Sequence, residues 1–178
     1  MIEYREASRA DAEAIALLHA HSWQRAYRGI LRDQFLDNDL ISNRRELWRE
    51  RLRTPPLSQY VLVAEDAATI VGFACTYGNE DVKWGSMLDN LHVRAEASRR
   101  GIGRQLLGRA ARWSRESYPL CKFYLWVFEN NVHARRFYEH LGATDSESVT
   151  IEPPGGGQAV ECRYTWSDVN ALIKRTRV

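Results

Sequence analysis

The chain has 178 residues, the size of one domain that can bury a substantial core. Hydrophobic residues make up 44% of the sequence and charged residues 27%, a balance typical of soluble globular proteins. The formal net charge of +2 and the lack of a recognition motif argue against a nucleic-acid-binding protein. The three cysteines have no C-x-x-C spacing, which argues against a zinc site and a disulfide scaffold. Without an apolar leader or a membrane-length segment, we expect a cytoplasmic protein with no membrane partner.

The first third of the chain predicts a strand followed by two helices. Residues 2–7 read as a strand, and Ser8-x-x-Asp11 is the pattern of a capping box that opens a helix. Gly29 interrupts the apolar stripe of that helix. Residues 43–52 predict a second, strongly charged helix.

The middle of the chain predicts a hairpin and a parallel crossover. Residues 60–65 and 69–77 are β-rich runs around a short polar turn, which indicates an antiparallel hairpin. Residues 87–93 predict a further strand, and a helix with one apolar face begins at Gly101. A strand at 123–127 follows this helix, so strand, helix and strand imply a parallel connection.

The last part of the chain predicts a helix and a second hairpin. Residues 134–143 read as a helix with a glycine stop. Residues 146–151 and 160–166 flank a turn rich in proline and glycine at 153–157. The basic tail at 174–177 is interpreted as a solvated end. This order of elements indicates an α/β fold with a mixed sheet.

A basic, glycine-bearing turn joins the strand at 87–93 to the helix that follows it. Free N–H groups and the dipole at a helix start attract anions, and Gly101 and Gly103 let the backbone approach a ligand closely. Three arginines add positive charge: Arg99, Arg100 and Arg104. The turn suits a diphosphate, although an ordinary turn with a solvated basic rim has the same pattern. It is neither a P-loop nor a Rossmann turn, because the lysine motif is absent and position 106 is Leu106.

A second motif carries a family resemblance. The pattern N-x-x-A-x-x-F-Y-x-x-x-G runs from Asn131 to Gly142, and L-x-V occurs at residues 91–93. Together they resemble the GNAT superfamily of acetyl-CoA-dependent N-acetyltransferases, and the resemblance extends over nearly the whole chain. The glycine turn then matches the diphosphate loop of that family, R/Q-x-x-G-x-G/A. Ser98 stands where the family usually has Arg or Gln, so the loop has one charged contact fewer.

The resemblance implies one domain, residues 1–178, with a mixed, mostly antiparallel sheet flanked by helices. In this family two parallel strands splay apart, and the pantetheine arm of acetyl-CoA enters the gap. No metal is implied, and because relatives often dimerise, a homodimer is one expected assembly. The cofactor-binding residues implied are Leu91, His92, Val93, Arg99, Arg100, Gly101, Ile102, Gly103, Arg104, Asn131 and Tyr138.

Acetyl transfer to an amine needs a proton acceptor for the amine and a donor for the departing thiolate. By the resemblance, Tyr138 is the general acid, although its position on one helical face with Phe137 and Leu141 is also that of a core residue. Asn131 would cap this helix and could also contact the cofactor.

Asp89 is the candidate that deprotonates or positions the amine. Strand alternation predicts that Asp89 shares a face with Leu91 and Val93, and that His92 lies on the opposite face. An exposed strand carboxylate would have the same pattern, and an ordered water relay could replace the carboxylate as the proton acceptor.

We therefore predict an acetyl-CoA:amine N-acetyltransferase. A small amine, a polyamine, an aminoglycoside-like antibiotic and a protein N-terminus are all compatible acceptors. The alternative is a non-catalytic acyl-CoA-binding sensor on the same fold, which would release no thiol. Three residues lie where relatives build the wall that faces the acceptor, a position that helix packing explains equally well: Trp23, Tyr27 and Ile30.

Overall fold

The computed structural model describes residues 1–177. The strands are β1 (Glu3–Glu6), β2 (Gln59–Asp66), β3 (Thr69–Asp81), β4 (Gly85–Val93), β5 (Phe123–Phe128), β6 (Thr144–Ile151) and β7 (Ala159–Trp166). The α-helices are α1 (Ala12–Ala26), α2 (Leu40–Arg53), α3 (Ile102–Ser117), α4 (Val132–His140) and α5 (Val169–Thr176). Single helical turns of other types precede α1, α2 and α3, at Arg9–Asp11, Phe35–Asp39 and Ala95–Ala97.

The seven strands form one sheet in the order β1-β2-β3-β4-β5-β7-β6. Both predicted hairpins are present, as β2 with β3 and β6 with β7. The predicted crossover is also present, because α3 connects β4 to β5 and these two strands are parallel. All other neighbouring strands pair antiparallel. The predicted α/β fold with a mixed, mostly antiparallel sheet is therefore confirmed.

Helices cover both faces of the sheet. On one face α3 and α5 pack against the sheet around Leu106, Leu107 and Leu172, which are fully buried. On the other face α1 and α2 pack around Ile15 and Trp48, which are also fully buried. The chain thus forms a three-layer α/β arrangement, and a site at the sheet can be lined from both sides.

The basic end of the chain is a helix and not a solvated tail. Val169, Leu172 and Ile173 are buried at helical spacing, and Thr176 is 3% exposed. Asp168 caps α5 by accepting hydrogen bonds from two backbone N–H groups of its first turn. Lys174 and Arg175, on the exposed face of α5, and Arg177 directly after it make the stripe hard to recognise in the sequence.

The strand β4 contains a bulge at Asp89. Leu88 pairs with Thr76 and Asn90 pairs with Cys75, so Asp89 is an extra residue with no partner in β3. A bulge of this kind shifts the alternation of side chains by one residue and bends the strand. The bulge lies directly after the last residue of β4 that pairs with β5.

Among residues 1–177, no helix combines the length and the apolar composition that crossing a membrane requires.

Candidate active site

A cavity of about 540 Å³ opens where β4 and β5 separate. The two strands pair only from Ser86 to Leu88 and from Phe123 to Leu125. Beyond these three pairs, residues 90–93 of β4 and 126–128 of β5 line opposite walls of the cavity. The predicted splayed parallel pair is therefore confirmed, and the gap between its strands is open space.

One end of the cavity lies at the turn into α3. Gly101 is the N-cap of this helix, with a left-handed φ of +77°. The first hydrogen bond of the helix runs from the Gln105 N–H to the Gly101 carbonyl over 3.0 Å, which leaves the N–H groups of residues 102–104 without helical acceptors. A Cβ on Gly103 would lie 3.7 Å from Val93 Cγ2, at the cavity wall. The turn thus offers three backbone donors and a close approach, as a diphosphate requires.

The charged side chains of the turn are only partly available to an anion. Arg100 Nη1 lies 2.7 Å from Asp66 Oδ2, so its charge already has a partner. Arg99 is exposed, Arg104 is half-buried, and neither lines the cavity. Ile102 is 2% exposed in the core, so its side chain cannot contact a cofactor, although its N–H can. The roles of Ile102 and of the three arginines in cofactor binding stay predictions, and for Ile102 the group that could bind is its backbone N–H.

Ser98 occupies the family's usual Arg or Gln position and does line the cavity. Its hydroxyl donates a hydrogen bond to the Ala95 carbonyl within the preceding turn. Ser98 therefore contributes local turn structure, without a positive charge.

Tyr138 lies between the core and the cavity. It is 8% exposed, packs edge-on against Trp166 at 6.1 Å between ring centroids, and also lines the cavity. Burial raises the pKa of Tyr138 above its usual value of 10, so the hydroxyl is protonated at neutral pH. Asn131 caps α4 as predicted, accepting the Ala134 N–H at 3.3 Å, and lines the same cavity. Tyr138 is therefore a core residue that also lines the cavity, and its role as the general acid stays a prediction.

Aromatic residues of α1 and the turn after it line the other end of the cavity. Trp23 and Tyr27 contact each other edge-on at 5.1 Å, and Tyr27 contacts Phe128 of β5 at 4.9 Å. Ile30 does not line the cavity, in contrast to the prediction. After Gly29, at a φ of +80°, the chain turns, and Ile30 packs in the same apolar cluster as Trp23 and Tyr27 without lining the cavity.

Asp89 lies on a different face from the predicted one. Leu91 and Val93 pack on the α3 side of the sheet, whereas the Asp89 carboxylate reaches Arg51 of α2, with 2.5 Å between Oδ2 and Nη1. The prediction that Asp89 shares a face with Leu91 and Val93 is wrong, because the bulge at Asp89 reverses the alternation. The carboxylate still lines the cavity, from the side of α1 and α2.

His92 faces α1, on the side opposite to Leu91 and Val93, as predicted. Its Nδ1 lies 2.9 Å from Ser22 Oγ, and its ring lies 4.7 Å from the ring of His19. Burial, and then the positive charge of Arg44, lowers the pKa of His92 to about 3. The imidazole is therefore neutral near pH 7 and is a poor proton acceptor there.

Four charged residues of the cavity are not predicted from the sequence: Arg25, Arg44, Arg51 and Glu161. For Arg44 a signal exists, since Leu40, Arg44, Trp48 and Leu52 recur every four residues and are all buried. An arginine inside such a stripe indicates a buried cation. For Glu161 the local sequence gives no comparable signal. In the described part of the chain, no cluster of three or more His, Cys, Asp or Glu residues could hold a metal ion.

The comparisons with known proteins agree with this geometry. The model of the acetyltransferase (GNAT) family matches residues 21–143. The N-acetyltransferase YuaI of Bacillus subtilis, itself uncharacterized, is 24% identical over 178 residues, covering 97% of this chain and 96% of its own. The spermine/spermidine N(1)-acetyltransferase of Bacillus subtilis is 35% identical over 79 residues, which is 41% of this chain and 51% of that protein.

Two solved structures share the fold. The PaiA N-acetyltransferase from Thermoplasma acidophilum, in complex with coenzyme A, superposes with a TM-score of 0.72 at 21% identity, over 93% of this chain and 99% of that one. The putative acetyltransferase YncA from Salmonella typhimurium, with acetyl-CoA, superposes with a TM-score of 0.67 at 21% identity, over 93% of each chain. Because the family match extends over more than half of the sequence, this chain belongs to the GNAT family of acetyltransferases.

Proposed function

We propose that this protein transfers the acetyl group of acetyl-CoA to a primary amine. The observation that carries the proposal is the cavity between β4 and β5, which connects the turn at Gly103 to the aromatic pair Trp23 and Tyr27. Tyr138 lines the same cavity. One continuous space therefore joins a diphosphate-suited turn, a protonated hydroxyl and an aromatic wall. Coenzyme A and acetyl-CoA in two structures of the same fold support the assignment.

The chain offers binding groups along the whole proposed path of acetyl-CoA. Residues 91–93 of β4 are not paired with β5, so the backbone polar groups at this edge are free to bind the pantetheine amides. The N–H groups of residues 102–104 point toward the diphosphate position, where the helix dipole adds favourable potential. Gly103 and Val93 both line the cavity where these two regions meet.

The bound thioester supplies an acyl carbon that an amine can attack. The nitrogen lone pair forms the new C–N bond while the C–S bond breaks, so the sulfur leaves as a thiolate and the nitrogen must lose one proton. Tyr138, protonated at neutral pH, donates its hydroxyl hydrogen to the departing sulfur. Asp89, or water held at Asp89, takes the proton from nitrogen, although one carboxylate oxygen already accepts a hydrogen bond from Arg51.

A thiol-release assay tests the proposal. The purified chain is given acetyl-CoA and a library of primary amines, and coenzyme A affinity is measured by calorimetry in parallel. We expect one free thiol and one acetylated amine per turnover with at least one class of amine. Coenzyme A binding without thiol release in the presence of any amine would instead support the alternative function, a non-catalytic acyl-CoA-binding sensor.

A further inference from the structure

Two charged side chains that are buried or half-buried in the cavity have no oppositely charged partner within residues 1–177: Arg44 of α2 and Glu161 of β7. The other close charges of this region, Arg51 and Asp89, form an ion pair and compensate each other. A charge removed from water without a partner is unfavourable. Among the buried and half-buried side chains of the cavity, one cation and one anion therefore remain without compensation.

Arg44 is held in place by neutral groups. It is 7% exposed, its guanidinium lies 4.4 Å from the ring centroid of Trp23, and two of its nitrogens donate to the Asn43 side-chain oxygen. Burial, and then the neighbouring charge of Arg51, lowers the pKa of Arg44 to about 10. The side chain is therefore a fixed cation near pH 7, with hydrogen-bond donors left over.

Glu161 faces the same cavity from the other side. It pairs across the sheet with Phe128 of β5, and it alternates with Cys162, whose side chain is buried on the α3 side. Its carboxylate therefore lies on the α1 and α2 side, where it lines the cavity. Burial, and then the charge of Asp89, raises the pKa of Glu161 above its usual value. A cationic ligand beside Glu161 would compensate the negative charge of its carboxylate and so favour the ionised form.

The aromatic wall connects these two charges. Arg44 stacks on Trp23, Trp23 contacts Tyr27, and Tyr27 contacts Phe128, the strand partner of Glu161. The cation thus lies at one end of the aromatic wall and the carboxylate near the other. A ligand along this wall meets opposite charges at its two ends.

We infer that the acceptor is a small zwitterion: an amine that also carries an anionic group such as a carboxylate, with Arg44 binding the anion and Glu161 binding the ammonium group. This inference rests on the proposed acetyl transfer and narrows its acceptor. A polyamine offers only cations, and the positive charges of Arg44 and of the exposed Arg25 at the cavity would repel it. The spermine activity in the name of one relative is therefore not expected here.

The wild-type protein gives the first test. Thiol release is measured with the twenty L-amino acids and with ω-amino acids of increasing chain length, whose separated charges can reach both ends of the aromatic wall. It is also measured with the carboxamides of the amino acids that are accepted, and with spermine and spermidine. Each amide keeps the amine and removes the negative charge. We expect kcat/KM for at least one amino acid to exceed that of its amide and of both polyamines at least ten-fold. Equal or higher kcat/KM with the amides or the polyamines would overturn the inference while leaving the acetyltransferase function intact. Absence of thiol release from every amine would overturn both.

Two variants then test which residue binds the anionic group of the acceptor and which binds its ammonium group. Arg44→Gln should lower kcat/KM for the amino acid at least ten-fold and leave kcat/KM for its amide nearly unchanged. The preference for the acid over the amide should therefore disappear. Glu161→Gln should raise KM for acid and amide alike. The matched controls are Arg45→Gln, whose side chain pairs with Glu13 outside the cavity, and Glu152→Gln, on an exposed turn. Both controls should keep wild-type selectivity. An Arg44→Gln protein that melts like wild type and still prefers the acid would contradict the assignment.

Discussion

Arg51 of α2 forms an ion pair with Asp89, the extra residue of the bulge in β4, with 2.5 Å between Nη1 and Oδ2. The side chains are 21% and 24% exposed, so solvent screens the pair only partly. The same Arg51 nitrogen lies 3.0 Å from Asn90 Oδ1. The pair therefore joins α2 to β4 at the point where β4 separates from β5 and the cavity opens.

Replacing Arg51 by methionine should destabilise the protein, because the Asp89 carboxylate would lose its charged partner in a half-buried position. We expect the free energy of unfolding to fall by about 1–3 kcal/mol in urea denaturation. The matched control is Arg53→Met on the same helix, whose partner Glu50 is 68% exposed. That change should leave the free energy of unfolding close to the wild-type value, because solvent screens an exposed ion pair. Equal losses in the two variants would show that the Arg51 pair adds nothing to stability.

The two glycines of the turn into α3 should respond differently to alanine. Gly101 has a φ of +77°, so Gly101→Ala should reduce the free energy of unfolding by about 1–2 kcal/mol, although its Cβ would meet no atom within 4 Å. Gly103 has ordinary helical geometry, so Gly103→Ala should keep or improve stability. The family pattern has glycine or alanine at this position, so Gly103→Ala should also keep its coenzyme A affinity. The larger side chain of Gly103→Leu should instead enter the cavity and weaken coenzyme A binding at least ten-fold in calorimetry. Unchanged affinity in a folded Gly103→Leu protein would place the cofactor elsewhere.

Removing the Tyr138 hydroxyl should slow the reaction and spare binding. In Tyr138→Phe we expect kcat to fall by roughly 10²- to 10⁴-fold, with nearly unchanged coenzyme A affinity, because the hydroxyl is needed only as the thiolate departs. The control is Tyr164→Phe. The Tyr164 hydroxyl donates a hydrogen bond to Glu139 at 2.6 Å, and Tyr164 does not line the cavity. Removing this hydroxyl should therefore leave kcat close to the wild-type value. Wild-type turnover in Tyr138→Phe would make Tyr138 a packing residue only.

Asp11 should make stability depend on pH below pH 4. Hydrogen bonds from Arg5 lower the pKa of Asp11 from 3.8 to about 2, and hydrogen bonds from Ser8 add to the effect. Because the folded-state pKa is depressed, the stabilisation is fully present above the unfolded pKa and is lost as the pH falls through the folded value. Asp11→Asn should therefore lower the free energy of unfolding by about 1–2 kcal/mol at neutral pH, with a difference that shrinks toward pH 2. A difference independent of pH would exclude a charge effect.

Features set by neighbours in the sequence could be predicted. Ser8 and Asp11 form the expected capping box, and Gly142, with a φ of +87°, ends α4 as predicted. The phosphate-suited turn and the cap at Asn131 also depend on local patterns. Each of these signals lies within a few residues, so the chain need not be folded to recognise it.

Features set by distant contacts could not be predicted. The bulge at Asp89 depends on the register between β3 and β4, and it alone reverses which face Asp89 occupies. Ile30 does not line the cavity, because the turn after Gly29 packs it into an apolar cluster. Arg44 and Glu161 line the same cavity only because α2 and β7 both border it in the folded chain. Such placements require the tertiary structure, since no spacing along the chain encodes them.

A crystal structure of the protein with coenzyme A would show whether the thioester binds in the gap between β4 and β5. We predict that the pantetheine arm lies between residues 91–93 and 126–128, with the diphosphate at the N–H groups of residues 102–104. The sulfur should lie within hydrogen-bond distance of the Tyr138 hydroxyl. Coenzyme A bound outside this gap would contradict the proposed acetyl-CoA site, and a sulfur remote from Tyr138 would contradict the proposed role of its hydroxyl.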